Sequence, residues 1–73
     1  MQWEATVGAN IRRLRKAKGL TQEGLAHEAD MAMRYVAGVE RGEENPSLRF
    51  LVKMAEVLGV SPGDLFEVGT ASK

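Results

Sequence analysis

Cysteine is absent from the 73 residues. Disulfides and thiolate metal sites are therefore excluded, and stability has to come from apolar packing, as suits a reducing compartment. Histidine is nearly absent too. The one present, His27, has no second soft ligand to accompany it and reads as a helix-surface residue, so no metal and no cofactor are expected. No serine has a histidine and a carboxylate at a recognisable spacing, and the glycines punctuate helices without forming a phosphate-cradling loop. An enzyme is not expected. Long apolar runs are also missing. Nothing approaches the roughly 18 residues of a membrane span, and the start, MQWEATVGAN, lacks the basic and apolar regions of a signal peptide. The expectation is a cytoplasmic protein with no membrane partner.

Net charge is zero, which by itself counts against a nucleic-acid binder, because Lys and Arg neutralising phosphates supply most non-specific affinity. The distribution of charge points the other way. In residues 1–20, Arg12, Arg13, Arg15, Lys16 and Lys18 stand against Glu4 and leave +4, whereas five basic against nine acidic groups in residues 21–73 leave −4. A chain with one basic flank can approach a polyanion from that side only.

The length allows a single domain, residues 1–73, with one small core. Trp3, Val7, Ile11 and Leu14 recur at helical spacing and predict a first helix over about 3–18, stopped at Gly19. Gly42, Gly59 and Gly69 repeat that punctuation. Thr21 is an N-cap for a second helix, 22–29, and Asp30 stands where a capping glycine is usual. A third helix is expected over 32–41, with Met31, Val36 and Val39 inward and no capping acceptor at Ala32. Asn45-Pro46-Ser47 is turn chemistry, and Ser47 caps a fourth helix, 48–58, with Leu48, Leu51, Ala55 and Leu58 as its stripe. Ser61-Pro62 opens a short fifth helix, 62–67, and the tail 69–73 is expected to fray. No strand is predicted, so the fold class is all-α and compact.

Two short helices joined by a tight turn, TQEGLAHEA-DM-AMRYVAGVERG, have the layout of a helix-turn-helix. Together with IRRLRKAKGLTQEGLA, YVAGVERG, NPSL and LVKMAEVLGVSPGDLF, they make residues 8 to 67 resemble the lambda-repressor-like, Cro-type (XRE) helix-turn-helix family. The segment YVAGVERG is similar to that of the small controller proteins of restriction-modification systems. The resemblance implies a DNA-binding transcriptional regulator, repressing or activating, whose third helix enters the major groove.

Carried over by position, the resemblance assigns Gln22 to a phosphate and Arg15 with Glu40 to a structural salt bridge. It puts Ala32, Met33, Arg34, Ala37 and Gly38 on the groove face. Of these, Arg34 is the strong reader, since a guanidinium bonds guanine bidentately. Met33 and Ala37 offer apolar contact and Gly38 close approach. Arg41 and the backbone around Asn45 face phosphates, and Tyr35 packs beside the core. Lys16 and Lys18 read as solvated. Glu43 and Glu44 would repel a duplex, so they are expected to face solvent or cations of a neighbouring subunit. Phe50, Leu65, Phe66 and Val68 are expected to form an apolar patch for a homodimer through helices 4 and 5, spanning two half-sites of a palindromic operator about 34 Å apart. A second class of reading is a protein-interaction module of the same fold, antitoxin-like or anti-repressor, that uses this patch on another protein.

Overall fold

The computed structural model describes residues 2–68. The cap at Gly69 and the tail 69–73 lie outside them. Four α-helices follow in order, α1 Trp3–Ala17, α2 Gln22–Ala29, α3 Met33–Glu40 and α4 Leu48–Leu58, and a 3₁₀ helix Pro62–Phe66 closes the chain. The last element is thus tighter than the α-helix expected there. No strand occurs among the described residues, and none of the helices is long and apolar enough to cross a membrane.

All four α-helices end alike. At each end one N–H bonds a carbonyl of the last turn, and the next N–H along the chain reaches the carbonyl one residue further back. Examples are Gly19 to Lys16 at 3.0 Å with Leu20 to Arg15 at 3.0 Å, and Gly42 to Val39 at 3.0 Å with Glu43 to Gly38 at 2.9 Å. This is the Schellman closure, and it needs a left-handed residue at its corner. After α2 that residue is Asp30, at φ 57°, a conformation Asp tolerates better than most. The N-termini of α2 and α4 are capped by side chains, Thr21 accepting from the Gly24 N–H at 2.9 Å and Ser47 from the Phe50 N–H at 3.1 Å. Ala32, at the start of α3, provides no such bond.

One core joins these elements. Ile11, Leu25, Val36, Met54 and Leu65 are wholly buried, with Val7, Val39 and Phe50 nearly so. Phe50 meets the Tyr35 ring edge-on, centroids 4.9 Å apart, and so ties α4 to α3. Two expectations are corrected here. Phe50 and Leu65, expected at an interface, belong to the core, whereas Leu48, expected on the inward stripe of α4, is 74 % exposed. The buried face of α4 is Phe50, Leu51, Met54, Ala55 and Leu58. Leu48 lies on the first turn at the margin of that face, while Phe50 and Met54, four residues apart, form the ridge the core needs.

Two residues that carry no mark in the sequence set the spacing of α1. Asn10 is buried and its Nδ2 donates to the carbonyls of Leu65 at 2.8 Å and Glu67 at 2.9 Å, clasping the 3₁₀ helix to α1. Gly8 lies against the end of α3, where a Cβ would collide with the carbonyl oxygens of Val39 and Glu40. Because the obstacle is backbone, it cannot rotate away. Gly8→Ala is therefore expected to destabilise the fold by about 1–3 kcal/mol, the usual cost of overpacking. An exposed helical Gly→Ala change would instead gain up to about 1 kcal/mol. Denaturant unfolding distinguishes the two, and a stabilised variant would refute the close approach.

Candidate nucleic-acid interface

Three residues, Asp30 to Ala32, separate α2 from α3. The helix pair is held from behind by charge. Arg15 of α1 donates from Nε to Glu40 Oε2 at 2.7 Å and from a terminal nitrogen to Oε1 at 3.0 Å. Another terminal nitrogen donates to the Leu20 carbonyl at 2.9 Å. The Glu40 side chain is only 2 % exposed and that of Arg15 9 %. Hydrogen bonding to Glu40, more than its charge, raises the Arg15 pKa against the opposing effect of burial, so the guanidinium stays charged.

Gln22 joins this pair: its Nε2 donates to Glu40 Oε1 at 3.0 Å. Glu40 at the end of α3 thus collects donors from α1 and from the first residue of α2. This revises the picture of Gln22 as a side chain free for phosphate. One amide N–H is committed to Glu40. The second, together with the backbone N–H groups of Gln22 and Glu23 at the α2 N-terminus, remains for an anion in front.

Ala32, at the N-cap of α3, and Met33 and Arg34 in its first turn are exposed, and Ala37 is half-buried. Gly38 departs from its expected place on an open surface. It is buried, and the cause is Glu44, whose Cγ would stand 2.9 Å and whose Oε2 3.2 Å from a Cβ at that position. Glu43 faces solvent, one of the two placements expected for it. It accepts from Arg41 of the same chain at 3.0 Å, with both side chains more than half exposed. That hydrogen bond lowers the Glu43 pKa and raises that of Arg41. Such an exposed pair is weak and screened by salt, so Arg41 can exchange partners at little cost. Asn45 is exposed in the loop from α3 into α4, Lys16 is exposed in the last turn of α1 and Lys18 at its C-cap, and Tyr35 is half-buried.

The apolar surface lies only partly where it is expected. Leu48 and Val52 are exposed on the outer face of α4, where with Arg49, Lys53 and Glu56 they line a shallow cleft. Phe66 and Val68 are also exposed, and Trp3 packs edge-on against Phe66, centroids 6.0 Å apart. His27 is exposed, and no metal-holding group of His, Cys, Asp or Glu occurs among the described residues.

Known proteins share this arrangement. A helix-turn-helix family model matches residues 11–65. The control protein C.BamHI of Bacillus amyloliquefaciens is 39 % identical over 64 residues, covering 86 % of this chain and 79 % of its own. The crystal structure of the restriction-modification controller protein C.AhdI from Aeromonas hydrophila superposes with a TM-score of 0.83 at 44 % identity, over 86 % of this chain and 96 % of that one. The biofilm master regulator SinR, solved in complex with DNA, gives a TM-score of 0.80 at 39 % identity, over 84 % of this chain and 98 % of its own.

The buried pair carries a direct test. Removing one member of a buried ion pair costs roughly 3–5 kcal/mol, whereas replacing both by apolar groups is often neutral. Glu40→Ala should show that loss in a urea titration, and Arg15→Met combined with Glu40→Leu should recover most of it. A single-variant loss no larger than that of a surface substitution would mean that the pair does not hold α3.

Proposed function

The chain belongs to the XRE-type helix-turn-helix family of DNA-binding transcriptional regulators, which are not enzymes, and from that premise we propose that it acts in the cytoplasm as a homodimer on a palindromic operator. The observation that carries this reading is that α3 is anchored at one end and open at the other. Buried ionic bonds fix its last residue, Glu40, and its first turn presents Arg34 to solvent. The likeness to SinR, whose structure contains DNA, supports docking of α3 in the major groove. The likeness to C.BamHI and C.AhdI supports a role as a restriction-modification controller.

In this reading Arg34 bonds guanine, and Ala32, Met33 and Ala37 pack against thymine methyl groups. Gln22, Arg41 and Asn45 bind phosphates, Arg41 after leaving Glu43. Gly38 makes no contact of its own because Glu44 covers it. The dimer surface moves to the exposed face of α4, with Phe66 and Val68 at its edge. That face is self-complementary. If two α4 helices cross antiparallel about a two-fold axis near Val52, Arg49 of each lies opposite Glu56 of its partner, and Leu48 and Val52 are covered between them. Two copies then present their reading helices to half-sites one helical turn apart.

Arg34→Ala should weaken operator binding by about 1–3 kcal/mol and relax preference at one base pair in each half-site. Gln22→Ala should weaken operator and random DNA alike. Fluorescence anisotropy over a salt series reads both effects, since a phosphate-dependent complex has a steep negative log–log slope. Equal loss on both DNAs for Arg34→Ala would remove it as a reader. A flat salt response by the unaltered protein would overturn the DNA-binding reading and favour the protein-interaction module.

Val52→Asp places two carboxylates at the proposed two-fold axis and should yield monomers in sedimentation equilibrium, with the circular dichroism spectrum unchanged. Persistence of the dimer would exclude this face as the interface.

A further inference from the structure

Glu44 is a surprising neighbour for a surface offered to DNA, and its seat is specific. Its side chain lies across Gly38, the residue one turn beyond Arg34 on the same side of α3. Preceding it, the Glu43 N–H bonds the Gly38 carbonyl at 2.9 Å as part of the closure of α3, so the chain returns over the helix at a fixed place. Where a larger residue at 38 could have offered a side chain of its own, glycine leaves room for the carboxylate of Glu44.

An ionised carboxylate only accepts hydrogen bonds. Beside a duplex it is repelled by every phosphate, and the donors facing it in the major groove are the amino groups of cytosine N4 and adenine N6. For a single acceptor, cytosine is the better match, because adenine is best bound by an amide that also donates to N7. Building on the docking of α3 proposed above, we propose that Glu44 is a specificity-determining residue that accepts from cytosine N4 in each half-site, with Gly38 as its seat. Arg34 and Glu44 then read a donor-poor and a donor-bearing base respectively, and the small side chains of α3 are no deficit.

Selection from a random DNA pool, followed by anisotropy on the selected site and on single-base variants of it, tests this. Glu44→Ala should bind random DNA more tightly, having lost a negative charge, yet discriminate about tenfold less at one cytosine per half-site. Glu44→Gln should move that preference towards adenine. Gly38→Ala is the decisive variant. Its Cβ displaces a flexible side chain and no backbone, so the fold is retained, and the charge is unchanged. It should nevertheless lose discrimination at the same cytosine. If Glu44→Ala and Gly38→Ala leave preference unaltered at every position, Glu44 only tunes overall affinity and the inference fails while the docking of α3 stands. If the unaltered protein selects no site, the docking itself fails and the inference goes with it.

Discussion

The burial of Glu40 is the constraint on which the rest of the structure depends. A carboxylate so little exposed is tolerable only when its oxygens are occupied by donors, and Arg15 and Gln22 supply them. Those donors come from the end of α1 and the start of α2, so satisfying one charge fixes the mutual placement of three helices. Gly8 permits the arrangement by letting α1 approach the carbonyls at the end of α3 without an intervening methyl. Apolar packing supplies the cohesion. The ionic network and the glycine decide which of several packed arrangements is adopted.

A chain of zero net charge can belong to a family of DNA-binding regulators because its charge is separated, +4 in residues 1–20 and −4 in residues 21–73. Ion pairs leave that total unchanged but decide which cations are available. Arg15 is consumed by Glu40 in the interior and Arg41 is held by Glu43 outside. The first of these pairs is shut away from competing ions. The second is exposed and exchangeable, so it withdraws a cation from the surface only until a stronger anion arrives.

Much of this is legible in the residues. The helices and their ends can be read because Schellman closures and N-caps leave local marks, glycine or Asp at the corner and Thr or Ser at the start. What escapes such a reading is non-local. Leu48 and Phe50 exchange roles because a spacing rule sees periodicity but not which margin of the helix meets a neighbour, although the interval from Phe50 to Met54 carries the correct stripe. Asn10 leaves no signal because its partners are carbonyls more than fifty positions away, and a carbonyl has no identity in a sequence. The place of Gly38 on the helix gives no sign that Glu44 folds back upon it. The exposed α4 face is hidden for the same reason that Phe50 is misplaced.

The brevity of the connection from Asp30 to Ala32 has a consequence of its own. Two helices parted by three residues, with Gln22 of one bonded to Glu40 of the other, contain no hinge. In the proposed complex, curvature that does not match must be made up by the duplex. Its elastic energy, which varies with the stacking of base steps the protein never touches, then becomes a second criterion of choice among operators.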